Sequence, residues 1–134
     1  MDLGGKRVGI AKSDELGLMA HALPFIDAQP AESFLNRLEK VLEETKASRV
    51  IVGHPLAMTG ESGIAAQKIE KQVESFRERF PRIPFELRDE RLTTKSAHVY
   101  LRTSGQSQTK RRQKVDSLSA QILLQDYLDL NRRS

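Results

Sequence analysis

The residues able to do chemistry in this chain are acids placed where structural elements begin or end. Asp2 stands in "MDLGGKR", at the mouth of an alternating apolar run. Asp89 and Glu90 close a later run, "IPFELRDER", and Asp116 lies near the head of the last helical pattern. Carboxylates drawn from separate elements suit a hard divalent cation, Mg²⁺ or Mn²⁺, which takes oxygen ligands and keeps several waters. Two such ions about 4 Å apart can activate water and stabilise the leaving oxygen in phosphodiester hydrolysis. Each acid also has a structural reading. Asp2 suits a plain turn before Gly4-Gly5, and Asp116 suits a helix N-terminus or an ion pair with Arg7 or Arg91. Asp116 shares a helical stripe with Ala120, Leu123, Tyr127 and Leu130, so it turns inward and needs a partner, because an unpaired buried charge is costly. Asp89 and Glu90 are adjacent, so on a strand they point to opposite faces and only one reaches a shared site.

Other chemistries fail on residue type or spacing. The chain has no cysteine, which removes disulfides, thiolate zinc sites and a Cys nucleophile, and fits a reducing compartment. The stretch from Gly53 to Gly60 is not a P-loop, because Glu61 stands where lysine is required. His21, His54 and His98 are scattered, with no i, i+4 pair for zinc. His54, between a strand and Pro55, reads as a loop residue lining the site without acting in it.

Charge points to a polyanion. From Arg82 to Lys114 there are nine Lys/Arg against three acids, a local +6 in a chain whose net charge is +4. A basic region on an otherwise balanced protein matches a nucleic-acid partner, although a charge run can also be a solvated face. The longest apolar stretch, Leu16 to Ile26, is broken by His21 and Pro24 and is too short to span a bilayer. No secretory signal is visible, so a cytoplasmic location is expected, with no membrane partner.

The elements that must position these acids follow from periodicity. Val8 to Ala11 alternate as a strand, and Leu16 to Phe25 returns as one or two short antiparallel strands. Pro30 stands where a first helical residue is tolerated, and Phe34, Leu35, Leu38, Val41 and Leu42 then predict a helix over Ala31 to Thr45. "RVIVGHP" is a short continuous apolar run of the buried parallel kind. Ile69, Val73, Phe76 and Phe80 predict a second helix stopped by Pro81. A strand at "IPFELRDER" and a helix from Thr93-Thr94 through Leu101 follow. Thr103 to Lys114 holds no apolar residue and reads as a flexible basic loop, before a last helix from about Lys114 to Asn131. The fold class is α/β, a mixed β-sheet with an initial antiparallel meander and helices on both faces, in one domain over residues 1–134. In such open sheets ligands gather at the carboxyl ends of the parallel strands, where "GHP" and "DER" fall.

Four blocks in this order, "DLGGKRVGIAKSD", "VIVGHPLAMTGESG", "LRDERLTTKSA" and "KVDSLSAQILLQDYLD", resemble the YqgF family of pre-16S ribosomal RNA nucleases, also described as Holliday-junction-resolvase-like. The resemblance covers nearly the whole chain. It implies a ribonuclease-H-like fold and a divalent-metal endonuclease site of Asp2, Glu90 and Asp116 with Mg²⁺ or Mn²⁺. It also implies a role in maturing the 5′ end of precursor small-subunit rRNA. Arg7 and Arg91 are the motif arginines, suited to bidentate phosphate contact, and Lys110, Arg111, Arg112 and Lys114 supply further cations for nucleic acid. Members usually carry several apolar residues before the first acid, whereas Met1 alone precedes Asp2 here. The alternatives are a DNA junction resolvase and a nucleic-acid-binding protein that does not cleave. Resolution needs a symmetric dimer, and no large apolar interface is legible, so a monomer or weak dimer is expected.

Overall fold

The computed structural model describes residues 1–55, 63–89 and 108–132, and within the last helix the side chains of residues 117–131. Three strands open the chain: β1 (Asp2–Leu3), β2 (Arg7–Ser13) and β3 (Ala20–Asp27). β1 pairs antiparallel with β2, Asp2 opposite Gly9 and Leu3 opposite Val8, and β2 pairs antiparallel with β3. The first hairpin requires Gly4. Its N–H donates to the Arg7 carbonyl at 3.1 Å, and a Cβ there would lie 2.7 Å from that oxygen. The second hairpin turns on Asp14, whose Oδ1 accepts the Leu18 N–H at 2.8 Å, with Gly17 at φ +69°. That hydrogen bond, with others from Met19 and Gly17 and the nearby His21, holds the Asp14 carboxyl below its ordinary value. Leu16 to Met19 therefore belong to the turn, and the return is one strand, not two.

Helix α1 (Ala31–Thr45) has the bounds its periodicity predicts. It ends in a Schellman turn: Lys46 adopts the left-handed region at φ 54°, its N–H donates to Glu43, and the Ala47 N–H donates to Leu42. Strand β4 (Val50–His54) runs parallel to β5 (Phe85–Asp89), with α2 (Ile64–Arg79) as the crossover. Pro81 follows the Phe80 cap of α2, as expected.

Two backbone bonds join these pieces. The Met1 amino group donates to the Ile51 carbonyl, and the Gly53 N–H donates back to Met1 at 2.9 Å. This alternation is that of parallel strands, with Met1 opposite Val52. The described strands thus follow the order β3-β2-β1-β4-β5. One face carries Val8, Ile10, Ile26, Val50, Val52 and Phe85 against Phe34, Leu38 and Leu42 of α1 and Ile69, Val73 and Phe76 of α2. Rings of Phe34, Phe76, Phe85 and Phe80 form a chain with centroids 5.6 to 6.2 Å apart. Aromatic pairs at that spacing add to the stabilisation from burial alone.

The other face is covered by α3 (Gln108–Arg132), which packs mainly on β2 and β3. Ala120 and Leu123 are buried as the stripe predicts, but Leu130 is 53% exposed, so the buried stripe ends at Tyr127. Polar side chains fasten this helix. Ser117 Oγ donates to Leu23, Gln121 donates to the Ala20 carbonyl, and Gln125 accepts the Ala20 N–H and donates to Leu18. β3 is an edge strand, and these amides occupy backbone groups that an edge leaves unpaired.

The start of α3 corrects the expected flexible loop: Gln108 to Lys114 are helical. Gln, Lys and Arg are good helix formers, and after Gly105 no glycine or proline interrupts them. A helix without apolar residues leaves no periodic signal. The predicted helix from Thr93 to Leu101 falls outside the described residues.

Candidate functional site

β1, β4 and β5 run in one direction, so Leu3, His54 and Asp89 mark a common carboxyl edge. Asp2 stands one residue short of that edge and is half-buried. Its cross-strand partner Gly9 shares its face, and so does Arg7, two residues from Gly9 on β2. Leu3 and Val8 turn the other way, into the core. The close approach at Gly4 brings the start of β2 back beside β1. A carboxylate and a guanidinium thus sit diagonally on one face, at the edge where ligands of open sheets bind. Gly9, between Asp2 and β3, presents no side chain to that face.

Arg7 is held from the side of β3. Its guanidinium carbon lies 4.7 Å from the centroid of the Phe25 ring. Phe25 was not among the residues the sequence singled out. The signal lies in the register: Val8 pairs with Ile26 and Ile10 with Leu23, so two residues advance on β2 while three advance on β3. Pro24 and Phe25 form the irregularity, and a proline, lacking an N–H, is at home in such a break.

The opposite face carries different chemistry. His54 is the last residue of β4, not a loop residue, and its Nε2 lies 3.1 Å from Glu70 Oε1 of α2. A strand extends to it because β5 pairs alongside as far as Asp89, directly opposite His54. Asp89 therefore belongs to the α2 side of the sheet and Asp2 to the α3 side. Strand alternation separates them, as the adjacency of Asp89 and Glu90 requires of one of that pair. Glu90 and Arg91 lie outside the described residues.

On α3 the structure gives backbone positions for Lys110, Arg111, Arg112, Lys114 and Asp116. Contacts of Gln125, Gln121 and Ser117 with Leu18, Ala20 and Leu23 show that the helix runs antiparallel to β3. Continuing from Ser117 toward Gln108, at about 1.5 Å per residue, carries the basic turns toward the end of the sheet where Arg7 pairs with Asp27. Asp116 is not in the first turn, as its spacing suggested, because α3 begins at Gln108. The dipole of a helix N-terminus acts only within the first turn. That structural explanation for Asp116 is thereby removed. The ion-pair and metal readings remain.

Among the described residues no group of three His, Cys, Asp or Glu side chains could hold a metal ion. The expected set of Asp2, Glu90 and Asp116 contributes only Asp2 to that search. Asp2 offers carboxylate oxygen, the donor type a hard cation takes, whereas His54, the softer ligand of the neighbouring strand, is turned to the opposite face and bound to Glu70. A groove of about 1200 Å³ between the ends of β2 and β4, lined by Ile10, Leu38, Leu42, Ile51 and Leu123, opens away from the Asp2 edge. Its position excludes it from the chemistry of Asp2. No helix among the described residues is long and apolar enough to cross a membrane.

The chain is similar to known proteins over nearly its whole length. A family model described as "RuvX: Holliday junction resolvase" matches residues 1–130. A relative from Geobacillus kaustophilus, named "Putative pre-16S rRNA nuclease", is 39% identical over 134 residues, covering 98% of this chain and 96% of its own. Relatives of the same name from Chloroflexus aurantiacus and Bacteroides thetaiotaomicron are 36% and 37% identical, covering 86% and 95% of their own lengths and 98% of this chain.

Proposed function

This chain belongs to the RuvX family, which is ribonuclease-H-like in fold, and from that premise we propose that it is a divalent-metal-dependent endonuclease. Its substrate in this reading is precursor 16S ribosomal RNA, cut by hydrolysis of a phosphodiester bond at the 5′ end. The names of the relatives support the substrate. The observation that carries the chemistry is the placement of Asp2 and Arg7 on one face at the carboxyl edge of β1, β4 and β5. Asp2, Glu90 and Asp116 would hold Mg²⁺ or Mn²⁺, whose contribution when bound is to activate water and neutralise the leaving oxygen.

The chain's own residues bind and orient. Arg7 presents a planar fork of donors that suits two phosphate oxygens, and Arg91 is proposed for the same task from the other motif. Lys110, Arg111, Arg112 and Lys114 hold the strand through its backbone, so they position without reading sequence. Arg7 stands on β2 and Lys110, Arg111, Arg112 and Lys114 on α3, and groups carried by strands and helices hold a productive geometry better than groups on loops. The protein acts in this reading as one domain over residues 1–134, in the cytoplasm, as a monomer or weak dimer.

The test is cleavage of an RNA spanning the 5′ boundary of 16S rRNA, with Mn²⁺, Mg²⁺ or chelator, beside a four-way DNA junction. Wild type should cut the RNA only with metal, and Asp2→Asn should lower the rate by about a hundredfold or more, a typical loss when an electrostatic catalytic group is removed. Metal-independent cutting, or equal rates for Asp2→Asn, overturns the reading. Preferential cutting of the junction assigns the same site to DNA.

A further inference from the structure

We infer that Phe25 is a positioning residue: its ring holds the Arg7 guanidinium where a phosphate of the nucleic-acid strand meets it, beside Asp2. The inference rests on the nuclease reading of the Asp2 edge and names a residue that reading does not contain. Three observations carry it. First, the guanidinium carbon of Arg7 stands 4.7 Å from the Phe25 centroid, inside the distance at which a ring face attracts a cation. Second, the register break at Pro24 and Phe25 is what aims this ring. Ile26 faces the core and pairs with Val8; Phe25, its neighbour, faces the opposite side, with Arg7 and Asp27. Bulges of this kind often stand beside functional sites, where they re-aim a side chain. Third, Phe25 is half-buried on the sheet face away from the phenylalanine cluster. A large ring placed outside the core, beneath a cation, is in position to orient that cation.

Asp27, the cross-strand neighbour of Arg7, lies 3.7 Å from Arg37 of α1, on the flank of the sheet. A ring suits a group that must also bind phosphate. Stacking engages the face of a guanidinium, whereas a phosphate takes its in-plane N–H donors, so one ring contact and one phosphate contact are compatible. A preoriented fork also loses less freedom when a phosphate arrives.

The experiment measures binding of a labelled single-stranded RNA oligonucleotide as a function of salt, and Mn²⁺-dependent cleavage, for wild type, Phe25→Leu, Phe25→Tyr, Arg7→Ala and Phe25→Leu/Arg7→Ala. Phe25→Leu should weaken binding about two- to fivefold, as expected for loss of an exposed cation–π contact. It should flatten the log–log salt slope in the same direction as Arg7→Ala, whose limit is about one unit. Phe25→Tyr keeps the ring and should restore both. In the Arg7→Ala background Phe25→Leu should add nothing, because the two residues act as one unit. Wild-type binding by Phe25→Leu, an equal further loss in the Arg7→Ala background, or no effect of Arg7→Ala overturns the inference. Should Phe25→Leu fail to fold, Phe25→Met against Phe25→Tyr decides by the same slopes. Coupling in binding without any cleavage counts against the nuclease reading alone. Cleavage without coupling counts against this one alone.

Discussion

At the scale of single residues, the register of β5 decides which of two adjacent acids can act with Asp2. Asp89 pairs with His54, and the His54 ring is bound to Glu70 on α2. Asp2 faces α3. A carboxylate on the α2 side has the sheet between itself and Asp2, which sets Asp89 apart from it; Glu90, outside the described residues, is the acid proposed to act with Asp2. Glu90→Gln should therefore reduce metal-dependent cleavage by about a hundredfold or more, a loss typical of an essential group. Asp89→Asn should leave the rate within a fewfold of wild type and act mainly on stability. Parallel single-turnover assays and melting curves distinguish the two. The reverse outcome would mean that β5 and its continuation do not keep one register. The adjacency of these acids was legible in the sequence. Which face each takes was not, because alternation gives only opposite faces and the choice needs the partner strand. Phe25 was illegible for a related reason. A ring before Ile26 reads as one more core residue until the three-against-two pairing turns it to the other side.

At the scale of elements, α1 and α3 show what periodicity can and cannot carry. Pro30 and five apolar residues at helical spacing fixed α1 to its terminal residues. α3 begins at Gln108, about six residues before its apolar stripe starts, on a stretch with no apolar residue to mark it. Its propensity was favourable throughout, but polar helix formers also suit a loop, and packing rather than propensity usually decides. The helical start changes what mutation should do. Replacing Lys110, Arg111 and Arg112 together with Ala keeps or improves helix propensity, so circular dichroism and the melting temperature should be nearly unchanged. RNA affinity should fall, and the salt slope should flatten by up to about three units if each cation meets a phosphate. Full helicity with an unchanged slope would remove these turns from the interface. Lost helicity would mean that the charges themselves hold the helix.

At the scale of the molecule, the parts of the Asp2 site meet only through tertiary pairing. Met1 bridges to Ile51 and Gly53, which sets β1 beside β4, and α3 returns across the sheet from the far end of the chain. The sequence displayed the four blocks and the α/β order. It could not display the two backbone bonds that put β1 between β2 and β4, since Met1 carries no motif. In the proposed site, carboxylates of Asp2, Glu90 and Asp116 would repel one another with no cation between them. Mn²⁺ binding the folded chain should therefore stabilise it by mass action, by about 2.7 kcal/mol at a hundred times the dissociation constant, which is several degrees in melting temperature. Asp116→Asn removes one of the repelling charges. Without metal the variant should melt at or above the wild-type temperature. With Mn²⁺ it should gain less than wild type and lose cleavage, while retaining RNA binding through the basic turns of α3. Differential scanning calorimetry of both proteins, with Mn²⁺ and with chelator, reads the first pair of outcomes, and anisotropy with labelled RNA reads the second. A wild type that gains nothing from metal, together with an Asp116→Asn protein that is destabilised without it, would assign Asp116 to an ion pair within the fold. The helix position already excludes the third possibility, because α3 reaches Asp116 only on its ninth residue, beyond the turn where the N-terminal dipole could hold the charge.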